Sequence, residues 1–178
     1  MKGNKIASRY AQALLDLAIE QDVLVRVNAD MILVAELCNE SRELANLLKS
    51  PIVDSAKKLS ALDSIFGKDL HKLSMEFISL IIKKSRESIV AEIAESFISL
   101  YKLHKNIVDV YITSAVPLDV QVKEKIVQKI KSKFSGEIVV TESIDEKLLG
   151  GFVVKFDDKQ IDSSIASQLT NLKNLLLN

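Results

Sequence analysis

Few side chains in this chain could make or break a covalent bond or hold a metal. There is one cysteine, Cys38, and two histidines, His71 and His104. A nucleophilic thiol needs a base or a positive field beside it to persist as thiolate. Cys38 falls on the apolar stripe of a helical pattern with no histidine patterned near it, which is the setting of a packing cysteine. His71 lies in the first turn of one predicted helix and His104 in the last turn of another. Neither has a companion carboxylate motif, so no metal site is expected, and His104 reads as a charge near a helix C-terminus. Asp157 and Asp158 are adjacent carboxylates, but neighbours in a strand point to opposite faces, so a polar hairpin turn explains them better than an acid and base pair. The basic clusters "KKSR" (Lys83 to Arg86) and "KSK" (Lys131 to Lys133) sit at helix ends, where the macrodipole favours cations. No catalytic residue, cofactor site or metal site is expected, and hence no enzyme.

The paired glycines in "LLGGFVVKF", Leu148 to Phe156, have three possible uses. A phosphate loop needs a strand before the glycines and a helix after them. Here a strand follows. An RNA-recognition motif opens its third strand with glycine and stacking aromatics. Laid on that octapeptide, "LGGFVVKF" puts Leu149 where a basic residue belongs, and Gly151 and Val153 on the two aromatic positions. What remains is conformational, because glycine admits positive φ or close backbone approach at the mouth of a strand.

The elements that carry these residues are legible from period. From Lys5 to about His104 the pattern is helical. Ile6, Tyr10, Ala13, Leu14, Leu17 and Ala18 mark a first helix. Leu24, Val27, Met31, Val34 and Cys38 mark a second, with Asp22 as its expected N-cap. "SRELANLLKS" is a short third that stops at Ser50-Pro51. Asp54 or Ser55 opens a fourth, ending at Gly67. Leu70, Leu73, Phe77, Leu80 and Ile81 mark the fifth, and Ile89, Ile93, Phe97, Leu100 and Tyr101 the sixth.

At Asn106 the period becomes two. Val108, Val110 and Ile112 alternate with Asp109, Tyr111 and Thr113 as in a half-buried strand. Pro117 closes it, and Asp119 caps a helix through Val122, Ile126, Ile130 and Phe134, ended by Ser135-Gly136. "EIVVTESI" and "FVVKF" are further strands, "DDKQ" a turn and "QID" a short fourth strand. Asp162 or Ser163 caps a last helix, with Ile165, Leu169, Leu172, Leu175 and Leu176 on one side. The expected fold class is α+β, a six-helix bundle over residues 1–105 and a small β-α-β-β-α domain over 106–178.

Composition narrows the class of function. Lysine plus arginine and aspartate plus glutamate both total 24 of the 178 residues. That balance argues against nucleic acid, whose binders usually carry a basic surplus. One cysteine excludes an internal disulfide. No apolar run approaches the ~20 residues of a membrane span, and the start has no secretory pattern. A soluble protein that stays where it is made is expected.

Five stretches together resemble the delta subunit of the F-type ATP synthase, whose mitochondrial counterpart is the oligomycin-sensitivity-conferring protein. They are "RYAQALLDLA", "LLKSPIV", "FISLIIKKSR", "VYITSAVPL" and "IDEKLLGGFVVKFDDKQIDSSIASQL". The last is the most specific, with Gly150, Gly151, Asp162 and Ser164 as its structural signature. The resemblance implies a non-catalytic stator component, peripheral to the cytoplasmic face of a bacterial inner membrane and reaching the membrane only through its complex. Its helical domain would grip the N-terminal segments of alpha subunits, and its C-terminal domain the peripheral-stalk b subunits. The alpha segment would dock as a helix between the first and fifth helices, on Tyr10, Ala13 and Leu14 and on Glu76, Leu80 and Lys83. The alanines Ala7, Ala11, Ala13 and Ala18 are expected to let that foreign helix approach closely. An RNA-binding or other adaptor module using the C-terminal sheet is the alternative.

Overall fold

The computed structural model describes residues 5–67, 69–117, 119–131, 136–145, 148, 150–156, 159–165, 167 and 169. It divides into two compact units, Met1–Tyr101 and Lys102–Asn178. The division falls within the last turn of a helix, where Lys102 pairs with Asp109 of the following strand (2.6 Å).

The first unit contains α1 (Lys5–Glu20), α2 (Leu24–Glu40), α3 (Arg42–Lys49), α4 (Ser55–Phe66), α5 (Lys72–Lys83), a 3-10 turn (Glu87–Ile89) and α6 (Val90–His104). One apolar core joins them, from Ala7 and Leu14 of α1 to Phe97 of α6. The Ser41 hydroxyl caps α3 by accepting from Leu44 N–H (3.2 Å). Ser50, the residue before Pro51, turns extended (φ −69°, ψ 121°) and ends that helix.

Asp22 does not cap α2, whose N-cap is Val23. It takes left-handed torsions (φ 56°) and closes α1 instead. Asp22 N–H donates to Ile19 O and Val23 N–H to Ala18 O, the paired bonds of a Schellman ending. Ser85 (φ 54°) closes α5 in the same manner, with Ser85 N–H to Ile82 O and Arg86 N–H to Ile81 O. Short polar side chains tolerate that conformation better than apolar ones.

α1 is rotated from the expected face. Ala7, Ala11, Leu14, Leu15 and Ala18 point inward, while Ile6, Ala13 and Leu17 are exposed. The sequence leaves this open because the apolar stripe is wide. Packing selects the alanine side, since small side chains let neighbouring helices of the same bundle approach closely.

The second unit contains β1 (Ile107–Ser114), α7 (Val120–Lys131), β2 (Glu137–Ile144), β3 (Phe152–Phe156) and β4 (Lys159–Asp162). The sheet order is β2-β1-β3-β4. β1 pairs parallel with β2 across the α7 crossover and antiparallel with β3, which forms an antiparallel pair with β4. Val110, Ile112, Val154 and Phe156 pack with Ile130 of α7. Gln160, expected to open the short fourth strand, pairs with Lys155, and the strand begins one residue earlier, at Lys159, which pairs with Phe156. Phe134, the Ser135 stop, Asp157, Asp158, Leu172, Leu175 and Leu176 lie outside the described residues.

Candidate protein-docking site

The Tyr10 and Phe77 rings meet edge to face, with centroids 6.5 Å apart and planes at 70°, which brings α1 against α5. Ile6, Tyr10, Ala13 and Leu17 follow one another at four-, three- and four-residue steps along α1. They form one stripe beside the buried face. Ile6 is 38% exposed and Leu17 41%. On α5 the buried residues are Leu73, Ser74, Phe77, Ile78, Ile81 and Ile82. Glu76, Leu80 and Lys83 form the adjoining exposed stripe, and Leu80 is 46% exposed.

Five of the six residues expected to meet a partner therefore have surface. Tyr10 is half-buried, and Ala13, Glu76, Leu80 and Lys83 are exposed. Leu14 has none: it is fully buried in the core. Ala7, Ala11 and Ala18 are also fully buried, so they admit neighbouring helices of the bundle rather than a foreign one. Ile6 and Leu17 were absent from the expected docking set. Their signal was available, at the same helical spacing as Tyr10 and Ala13.

In the second unit the four signature residues meet at one place. Gly150 (φ 144°) and Gly151 (φ 80°) both have positive φ. Ile165 N–H donates to Gly150 O (3.0 Å) and Ser163 N–H to Phe152 O (2.9 Å), so the chain before β3 is pinned to the chain after β4. Asp162 accepts from Ser164 N–H (2.8 Å) and from Ser167 Oγ (2.7 Å). Hydrogen bonds from Ser164 and Ser167 hold its carboxyl below the usual range. Ser164 Oγ accepts from Ser167 N–H (3.3 Å). The cap is therefore Ser164, not Asp162 or Ser163, and Asp162 braces it from two residues before. These contacts are conformational, as the failure of the phosphate and RNA patterns implied.

Comparison with known proteins settles the family. Residues 6–176 match the family described as ATP synthase delta (OSCP) subunit. The chain belongs to that family. It is 39% identical to the ATP synthase subunit delta of Cytophaga hutchinsonii, over 98% of this chain and 95% of that one. It is 35% identical to that of Christiangramia forsetii, over 99% and 95%. Its fold is similar to a chain of the Toxoplasma gondii mitochondrial ATP synthase hexamer, with a TM-score of 0.73, 21% identity and coverage of 98% and 99%. It is a non-catalytic stator subunit of an F-type ATP synthase.

Cys38 is buried, and burial pushes its thiol up from the ordinary value. His71 is an N-cap, its Nδ1 accepting from Leu73 N–H (3.2 Å). Among the described residues no group of three or more histidine, cysteine, aspartate or glutamate side chains could hold a metal. Nor is any helix among them long and apolar enough to cross a membrane. Nothing in the family assignment supports the RNA-binding alternative.

Sequence patterning missed two buried charges. Lys58 is 1% exposed and Asp30 is 3%. Both sit at helical positions that a wholly apolar reading would fill with apolar side chains, and only tertiary acceptors and donors explain them.

Proposed function

We propose that residues 1–105 of this subunit bind the N-terminal helices of alpha subunits on the α1 and α5 stripes. Residues 106–178 then bind the peripheral-stalk b subunits. The subunit is peripheral, at the cytoplasmic face of a bacterial inner membrane, and joins that membrane only through its complex. Held at both ends, the catalytic head is kept from turning with the rotor, and rotation is coupled to nucleotide chemistry.

The observation that supports the alpha contact is the apolar stripe of Ile6, Tyr10, Ala13 and Leu17 on α1, which meets α5 through Tyr10 and Phe77, together with Leu80, Glu76 and Lys83 exposed on α5. Exposed leucine and isoleucine in a continuous stripe suit the apolar face of a docked helix. Such a helix would bury on the order of 800 Å² per partner, enough for a specific contact. A second module on the same chain raises the effective concentration of each partner for the other, so the joint holds better than either contact alone.

The chain has no tryptophan, which gives a clean readout. A tryptophan-labelled peptide of the alpha N-terminus, titrated with the intact subunit, should shift its emission to the blue. Leu80→Asp should abolish the shift. An unchanged spectrum, with normal binding to complete catalytic heads, would move the contact elsewhere.

A further inference from the structure

Both ends of α5 are held by buried charges that belong to other helices. At the N-terminal end Asp30 of α2 accepts from His71 N–H (2.8 Å) and from Ser74 Oγ (2.6 Å) through Oδ2. Arg26, one turn earlier on α2, stands 3.5 Å from the Asp30 Oδ1 and also donates to the carbonyl of Asp69. At the other end α5 passes through the turn at Ser85 into Glu87, whose Oε1 is bound by Lys58 Nζ of α4 at 2.7 Å. Lys58 gives its other two N–H groups to Leu48 O in the last turn of α3 (3.2 Å) and to Ser50 O just past it (2.7 Å). An ammonium has three donors, so Lys58 is saturated.

None of this is required for α5 to be a helix or to be buried. Leu73, Phe77, Ile78, Ile81 and Ile82 supply that. Buried ion pairs are weak sources of stability, because desolvation cancels most of the attraction, and apolar replacements are often neutral or better. What such groups set is geometry, since they are satisfied in one arrangement and costly in others. Here they fix how far α5 is slid along its axis and how far it is rotated against α2 and α4. The stripe of Glu76, Leu80 and Lys83 is the part of α5 that faces outward.

We infer that Asp30 and the Lys58–Glu87 pair are positioning residues for partner binding, holding α5 so that its outer stripe stays in register with α1. This rests on the reading of α1 and α5 as the docking face. Neither anchor would touch the partner. Their effect is to pre-organise the seam, so that a docked helix does not have to order it, which slows release more than it speeds encounter.

The test uses the full chain and two substitutions. Glu87→Gln removes charge at one end with little change of shape, and Ser74→Ala is the milder change at the other. In Glu87→Gln the amides of residues 83–90 should exchange about tenfold faster while those of the α1 and α2 core keep their protection. In Ser74→Ala the loosening should centre on residues 71–75. Both variants should leave catalytic heads several-fold faster, at an unchanged association rate. Exchange that rises uniformly through all six helices would mean general destabilisation and overturn the inference. So would local loosening with unchanged release. Leu80→Asp, which touches neither anchor, separates the two claims. If it leaves release unchanged, the docking reading itself is wrong. If it speeds release while the anchor variants do not, only the positioning role is lost.

Discussion

The carbonyl oxygen of Ser163 stands where a side chain on Gly151 would begin: a Cβ built there lies 2.4 Å from it, with the Ser164 Cα at 2.9 Å. A Cβ on Gly150 meets only the Ile165 side chain, Cδ1 at 2.5 Å and Cγ1 at 3.3 Å, the far end of a flexible group. Both glycines have positive φ, so alanine is strained at either, but backbone cannot step aside as a methyl can. Gly151→Ala should therefore destabilise the sheet unit by about 2 kcal/mol or more, and Gly150→Ala by less. Urea titration read from the methyl signals of Val110 and Ile112 will rank them. The reverse order would place the constraint elsewhere.

The two leucines at the seam should separate stability from binding. Leu80→Asp, on the exposed stripe, should change stability by no more than about 0.5 kcal/mol and weaken the alpha peptide at least tenfold. Leu14→Ala, inside the core, should cost about 2–5 kcal/mol yet leave the affinity of the folded protein near that of wild type. Thermal melts and peptide titration on the same samples give both numbers. Equal loss of affinity in the two would show that Leu14 reaches the partner after all.

Removing Glu87 leaves the buried Lys58 ammonium without its counter-charge, and removing Lys58 leaves the partly buried Glu87 carboxylate without its cation. Lys58→Met should cost about 3–5 kcal/mol, and Lys58→Met with Glu87→Met should recover most of it. Additive losses in a urea-denaturation cycle would mean the two groups do not act as a pair.

Acid should find the same pair. Burial raises the Glu87 carboxyl, but the Lys58 hydrogen bond, its own backbone N–H and the Lys58 charge together bring it below its usual value of 4.5. A carboxylate depressed on folding contributes stability that is complete above its unfolded pKa and disappears as pH falls through the lower folded value. Wild-type stability should therefore drop below about pH 4.5 more steeply than that of Glu87→Gln, which has lost this contribution at every pH. Urea midpoints measured at roughly pH 7, 5, 4 and 3 should converge at the acid end. Parallel curves would remove Glu87 from the acid response.

The order and type of the elements were legible because period is a local property. Val110 and Ile112 on one face of β1, and Phe77 and Ile81 on one face of α5, are where alternation and helical spacing put them. Rotation was less legible where the apolar stripe is broad. On α1 nothing local tells whether Ala11 or Leu17 turns inward, and close packing within the bundle chose alanine. Caps were misassigned where the expected polar residue already had another task. Asp22 lost α2 to Val23 because it was already closing α1, and Ser164 took the last cap because Asp162 was occupied in bracing it. Lys58 and Asp30 were hidden because their partners lie tens of residues away in sequence, at Glu87 and at His71 and Ser74.

The sheet order has a consequence for synthesis. β1 lies between β2 and β3, yet it leaves the ribosome before either. Until residue 156 has emerged, a valine- and isoleucine-rich ribbon waits with its edges open, at the stage when nascent chains are most prone to stick to one another. The helical unit, complete fifty residues earlier by roughly that count, can already be folded upstream of it. A ribosome pausing within β2 would expose this ribbon longest, so slow codons there should favour capture by chaperones.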